Sequence, residues 1–159
     1  MVKMLAHLAF TVKDLESSLD FYVNKLGFKK SFEIIRKTDG TAEREIVRDS
    51  SKRAYGDVFL IYVEAAPGQF IELFPAAPDA EKTAVIPGNI GYSHFSLIVE
   101  DIHALRDELI AKGVKIDREL KKSSDGVTWQ MWVNDPDGNA IEFMQYSADS
   151  VQVVYSSDS

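Results

Sequence analysis

Two histidines and two glutamates, His7, Glu72, His94 and Glu142, are the residues whose types and spacing suggest chemistry. His7 opens the stretch His-Leu-Ala-Phe-Thr-Val-Lys-Asp-Leu, and His94 opens His-Phe-Ser-Leu-Ile-Val-Glu-Asp-Ile, 87 residues later. His, Val and Asp coincide, and the apolar positions stay apolar. Each copy then reaches a glutamate enclosed by apolar residues, in Phe70-Ile71-Glu72-Leu73-Phe74 and in Ala140-Ile141-Glu142-Phe143-Met144. Taken singly, a histidine at a strand start is most often structural. A carboxylate in an apolar strand is costly unless partnered, and its plainest partner is one of the 18 Lys and Arg residues. The matched placement changes the weighing. Two imidazoles and two carboxylates at equivalent points of a repeat can converge about a pseudo-twofold axis as a ligand set for a divalent transition metal. A structural zinc site would more often use thiolates, and the chain has no cysteine. The third histidine, His103, has no counterpart in the first copy and reads as solvated surface.

The elements that must position these residues follow from periodicity. Leu8, Phe10 and Val12 alternate with His7, Ala9 and Thr11, which is the period of a strand with two different faces. Asp14 can cap a helix carrying Leu15, Leu19, Tyr22 and Leu26, with Gly27 suited to the left-handed residue after its end. Phe28 to Ile35 reads as a strand. Arg36 to Gly56, with a turn signal at Asp39-Gly40, reads as a hairpin or long loop. Asp57 to Glu64 and Gln69 to Phe74 are strands joined across Pro67-Gly68.

In the second copy the strand from His94 to Val99 leads to a helix capped by Asp101, with Ile102, Leu105, Leu109 and Ile110 on one side and Gly113 as its stop. Lys115 to Ser124 reads as a strand end and a polar loop. Trp129 to Val133 and Asn139 to Gln145 read as strands around a tight turn at Asp135 to Asn139. The tail from Ser147 is expected to fray, with Val151 to Tyr155 able to add an edge strand. Each copy is thus strand, helix, three strands. The predicted organisation is a first βαβββ module over 1–79, a connection over 80–92, a second βαβββ module over 93–147 and a polar tail over 148–159. One such unit has too little core to stand alone. Two would curve an α+β mixed sheet around a shared, metal-binding cleft lined by His7, Glu72, His94 and Glu142.

Composition sets the outer bounds. At 159 residues, 45% hydrophobic and 27% charged, the chain suits one compact globular domain. A formal charge of −7 without a basic cluster argues against nucleic acid as partner. No apolar run is long enough to span a bilayer, and the opening Met1 to Phe10 is a poor signal peptide. A cytoplasmic protein acting on a small molecule, without a membrane partner, is the expectation.

The stretch from His7 through Phe21-Tyr22 to Leu26-Gly27-Phe28, the closing Asp135-Pro136-Asp137-Gly138-Asn139-Ala140-Ile141-Glu142-Phe143 and the order His, Glu, His, Glu together resemble the vicinal oxygen chelate superfamily. Within it the chain is most similar to glyoxalase I, the lactoylglutathione lyases, from His7 to about Gln145. The resemblance implies the glyoxalase/bleomycin resistance fold and one divalent metal per site (nickel, zinc or cobalt) held by His7, Glu72, His94 and Glu142. It implies conversion of a 2-oxoaldehyde–thiol hemithioacetal to a 2-hydroxyacyl thioester by metal chelation and glutamate-mediated proton transfer, as in methylglyoxal detoxification. Glu142 would be the better catalytic base, with Glu72 able to serve from the opposite face. A homodimer is implied as well.

The sequence departs from that family where the thiol should be held. An arginine is usual four residues after the first ligand, and Thr11 stands there; Ala76 replaces an asparagine four residues after the second. Thr11 shares strand parity with His7 and should face the substrate, and Lys121 or Lys122 could supply the missing charge. The alternatives are an epimerase or thiol transferase of the same superfamily, a non-catalytic drug- or metabolite-binding protein of the same fold, and a metal-stabilised structural domain.

Overall fold

The computed structural model describes residues 2–37, 41, 43–49, 51, 56–83, 88 and 90–156. The chain divides into two compact units, Met1–Lys82 and Thr83–Ser159. Each is built on one mixed sheet with helix on one face.

In the first unit the elements are β1 (His7–Val12), α1 (Leu15–Leu19), β2 (Lys29–Lys37), β3 (Arg44–Val47), β4 (Gly56–Ala66) and β5 (Gln69–Pro75). The strands lie in the order β1-β5-β4-β2-β3. Only β1 and β5 run parallel, and the other pairs are antiparallel. The short β3, drawn from the segment read as a hairpin or loop, adds a strand beyond the expected three. The turn signal at Asp39-Gly40 lies outside the described residues. Val12, Ile35, Ile61, Val63, Ile71 and Leu73 are buried with Phe21 and Tyr22 of the helical segment. Among them lies a fully buried carboxylate, Glu33, with Lys30 Nζ at 3.3 Å.

The helix starts as expected, the Asp14 carboxylate accepting from the Ser17 N–H at 2.7 Å. It does not stay an α-helix. From Asp20 to Lys25 it widens into a π-helix, closed by Leu26 N–H to Phe21 C=O and Phe28 N–H to Tyr22 C=O, both at 2.9 Å. Phe21 and Tyr22 are both buried there, ring edge to ring face at 5.2 Å.

The second unit contains β6 (Phe95–Ile98), α2 (Ile102–Ala111), β7 (Arg118–Lys122), β8 (Trp129–Asn134) and β9 (Ala140–Gln145), with sheet order β6-β9-β8-β7. Here too the first and last strands pair in parallel. The Asp101 carboxylate caps α2 by accepting from the His103 and Ala104 N–H groups, and the Gln145 side-chain carbonyl accepts from the Ile102 N–H at 2.9 Å. Ile102 and Leu109 are buried against the sheet, but Ile110 is exposed. The buried stripe therefore runs through 102 and 109, with Leu105 half-buried between them, and residue 110 lies about 100° further round than 109. Gly113, at φ 74°, closes the helix. The Lys115 to Ser124 segment is more ordered than a polar loop, because Arg118–Lys122 pairs with β8 as an edge strand.

The expected edge strand at Val151 to Tyr155 is a short helix instead, α3 (Val151–Val154). Side-chain oxygens decide this. Ser150 is fully buried, shares a 2.7 Å hydrogen bond with Thr128 and accepts from the Ser147 N–H. The Asp125 carboxylate accepts from the Thr128 hydroxyl and from the Thr128 and Val127 N–H groups, which holds it down at about 2. Among the described residues no helix is long and apolar enough to cross a membrane.

Candidate metal centre

The parallel strand pairs position the predicted ligands. In β1 and β5, Ala9 lies opposite Glu72; in β6 and β9, Ser96 lies opposite Glu142. Each of these partners stands two residues after a histidine. Since side chains repeat on one face every second residue, each histidine is a diagonal neighbour of its glutamate on the face away from the helix. His7 Nε2 is 3.6 Å from Glu72 and His94 Nε2 is 3.5 Å from Glu142. The imidazoles are accessible, at 45% and 35%, and the carboxylates are nearly buried, at 11% and 10%.

Within each unit the histidine and glutamate are thus brought together as a pair. Both separations sit at or beyond the limit of a hydrogen bond. The nitrogen and oxygen face each other without a shared proton latching them. Nitrogen and oxygen donors side by side on an accessible face are the chemistry a borderline divalent metal selects. Among the described residues, no three His, Asp or Glu side chains gather at metal-binding distance. A half-site by itself therefore offers two donors.

Around these pairs lie residues that sequence reasoning passed over. Tyr62 pairs with Glu72 across β4 and β5. Interaction with the neighbouring Glu72 carboxylate, then burial, push the phenol up to about 12. The Tyr62 ring is stacked on Phe32, with centroids 4.4 Å apart and planes 20° off parallel, and meets Phe70 and His7 at edges. Trp132 occupies the equivalent register opposite Glu142, its ring edge-on to His94 at 4.5 Å and its face covered by Arg118. Ser93 Oγ lies 3.1 Å from His94 Nδ1, which leaves Nε2 toward Glu142. Tyr146 is pushed up by burial and by the Glu142 charge. A signal for the two aromatics exists: Tyr62 stands ten residues before Glu72, and Trp132 ten before Glu142.

The predicted substrate contacts separate. Thr11 is exposed opposite Phe74, on the His7 face of its strand. Lys121 pairs with Gln130, which has the strand parity of Trp132 and so shares the Glu142 face. Lys122 pairs with Trp129, lies over that ring and donates to the Val127 carbonyl at 2.8 Å, on the opposite face. His103 is exposed as expected but also packs edge-on against Trp129.

Comparison with known proteins agrees with the architecture. The Glyoxalase/Bleomycin resistance protein/Dioxygenase superfamily matches residues 4–143. A probable lactoylglutathione lyase of Vibrio cholerae is 32% identical over 143 residues, covering 89% of each chain. A lactoylglutathione lyase of Neisseria meningitidis is 30% identical over 151 residues, 95% of this chain and 96% of that one. Among solved structures, a glyoxalase/bleomycin resistance protein/dioxygenase from Alicyclobacillus acidocaldarius superposes with a TM-score of 0.61 at 22% identity, covering 96% of both chains. A glyoxalase family protein from Enterococcus faecalis gives 0.65 at 20% identity, covering 89% of this chain and 97% of that one.

Proposed function

The chain belongs to the Glyoxalase/Bleomycin resistance protein/Dioxygenase superfamily, and from that premise we propose that it is a metal-dependent, lactoylglutathione lyase-like enzyme. Its reaction is the conversion of a 2-oxoaldehyde–thiol hemithioacetal to a 2-hydroxyacyl thioester. The observation that carries this reading is the pair of His–Glu half-sites at equivalent register, His7 with Glu72 and His94 with Glu142. Relatives at about 30% identity named lactoylglutathione lyase support it.

His7, Glu72, His94 and Glu142 are the residues that would hold one nickel, zinc or cobalt ion, which when bound would supply Lewis acidity to two adjacent substrate oxygens. Glu142 takes the proton from the carbon bearing the sulfur and delivers it to the neighbouring carbonyl carbon, so the reaction is an internal redox exchange with no outside oxidant. Glu72 is the second carboxylate able to serve as base, from the opposite face. Thr11 cannot grip a carboxylate as an arginine would, so the glutathione adduct is a weak substrate unless Lys121 supplies the anchor.

The working form is a homodimer, whose symmetric contact covers open sheet edges such as β1. Thioester formation from methylglyoxal with several thiols, with nickel, zinc or cobalt added to chelator-treated protein, tests the activity. Full metal occupancy in His94→Ala protein would refute the ligand set, and a monomeric mass by light scattering would refute the dimer.

A further inference from the structure

The sheet face that bears Glu72 carries a second feature, away from the histidine and the glutamate. Along β2, Phe32, Ile34 and Arg36 share one face, while Glu33 and Ile35 between them are buried on the other. Phe32 stacks on Tyr62, the register partner of Glu72, so the face of Arg36 is the Glu72 face. Arg44 lies directly opposite Arg36 across β2 and β3 and shares it. The pairing of β2 with β4 slips between Ile34 and Ile35, from Leu60 to Val58, and Phe59 is the residue left over. A bulge of this kind re-aims a side chain. The Phe59 ring meets the ring of Phe74, register partner of Thr11, edge-on at 5.4 Å. It also takes both arginines, with the Arg44 guanidinium carbon 3.8 Å and that of Arg36 4.7 Å from its centroid. Like charges directly opposite each other on a sheet repel. Both arginines are exposed, and among the described residues neither has a carboxylate in salt-bridge contact. Even Asp57, the register partner of Arg36, makes none, and the guanidinium rests on the ring instead.

We propose that Arg36 and Arg44, gathered on Phe59, form an anion-binding site that holds a terminal carboxylate or phosphate of the substrate's thiol moiety. The inference rests on the lyase reading for what carries the anion, whereas the arginine pair stands on its own contacts within the first unit. A guanidinium stacked on an aromatic face keeps its N–H edge free, and that edge matches the oxygens of a carboxylate or phosphate two at a time. The position fixes how far the anion lies from the sulfur. Arg36 is two strands across from Glu72, about 10 Å, and four residues along from its row, about 13 Å. An anion tethered through an extended chain spans that separation, and a short mercapto acid does not. Between the two places the same face offers Phe74, Ile34 and the exposed Ile46 to the chain of such a thiol. This anchor is separate from the charge missing at Thr11 and from Lys121.

The test is equilibrium binding to the chelator-treated full chain, wild type against the double variant Arg36→Gln/Arg44→Gln. Two probes are used: S-methylglutathione, which ends in carboxylates, and coenzyme A, which ends in phosphates. Both arginines are exposed, so the substitutions leave the core untouched. Wild-type protein is expected to bind at least one probe, and the double variant to bind it about 10- to 100-fold more weakly. The probe so affected tells carboxylate from phosphate. Arg36→Lys/Arg44→Lys keeps the charge without the fork and should recover only part of the loss. Wild-type protein that binds neither probe, or a glutamine variant that binds as well as wild type, would overturn the site. Full recovery by lysine would also overturn it, by leaving only diffuse positive charge. With nickel, zinc or cobalt restored, KM for the methylglyoxal adduct of the bound thiol should rise in the glutamine variant by the same factor. Arginine-dependent binding with no thioester formed under any metal would sink the lyase reading and leave the anion site standing.

Discussion

The two units carry the same pair of donors and surround them differently. In both, a parallel pairing of the first and last strands sets a histidine diagonally from a glutamate, with almost equal separations of 3.6 and 3.5 Å. In both, an aromatic residue sits across the antiparallel strand from that glutamate. The tyrosine ring meets its histidine at 6.3 Å between centroids and stacks on Phe32, whereas the tryptophan ring lies closer to its histidine, at 4.5 Å, and is covered by Arg118. The faces differ in where they carry charge as well, since Arg118 and Lys121 lie on the second unit's ligand face. At the register position matching Arg118 in the first unit, opposite Tyr62, stands the uncharged Phe32. Pseudo-symmetry therefore extends to the donors and stops at what supports them. The fold supplies two like positions, and the neighbours across one strand pair can make them chemically unlike.

The strongest way to break this comparison is to exchange the glutamates' chemistry one at a time. Glu142→Gln is expected to lower kcat for thioester formation by about 10²–10⁴, the usual worth of a general base. Glu72→Gln should register first as weaker metal binding in an elemental or cobalt titration. Equal kcat losses with equal metal affinities would show that the two half-sites are interchangeable.

A smaller effect comes from placing a charge on the His7 face of the first unit. Thr11→Arg is expected to lower KM for the glutathione adduct of methylglyoxal by about 10- to 100-fold, the size of one charge-assisted contact of about 1.5–3 kcal/mol, with metal content unchanged. If wild-type protein already turns that adduct over efficiently, Lys121→Ala rather than Thr11→Arg should move KM. Steady-state kinetics on the three proteins separates the cases.

The helix starts offer a gentler contrast. Asp101 accepts from two N–H groups and Asp14 from one. Asp101→Ala is expected to cost about 1 kcal/mol in denaturant melts, and Asp14→Ala less. A larger loss at Asp14 would mean that the π-helical segment depends on its first turn more than its geometry indicates.

The subtlest prediction concerns the tail of the second unit. Asp125 is held at about 2, below its ordinary 3.8, chiefly by the Thr128 hydroxyl and by backbone N–H groups. A carboxylate lowered on folding adds stability above its unfolded value, and that stability is lost as pH falls through the folded value. Between about pH 4 and pH 2 the wild-type protein should therefore lose protection of the Thr128 amide, measured by hydrogen exchange, more steeply than Asp125→Asn protein. Parallel profiles would detach Asp125 from holding Thr128 against Ser150.

Much of this was legible in the order of residues, because it depends on local periodicity and on a repeat. The alternation from His7 to Val12, the caps Asp14 and Asp101 and the stops at Gly27 and Gly113 each follow from a few adjacent residues. The four candidates His7, Glu72, His94 and Glu142 were legible only because the chain states the pattern twice, and that each histidine stands beside its own glutamate came from the strand register. Other features depended on contacts between residues far apart in sequence. The π-helical turn at Asp20 to Lys25 is a matter of hydrogen-bond register, to which side-chain periodicity is nearly blind. The helix at Val151 to Val154 forms because Ser150 meets Thr128, 22 residues away, and residues of alternating apolar character will take either form when a distant oxygen decides. Glu33 is an acidic residue on the core face that no pattern would have placed there. By itself the sequence determined which four residues to watch and which strands carry them. Which aromatic side chain stands opposite which carboxylate was decided only by the register of antiparallel strands, where a shift of one residue would have turned Tyr62 and Trp132 to the opposite face.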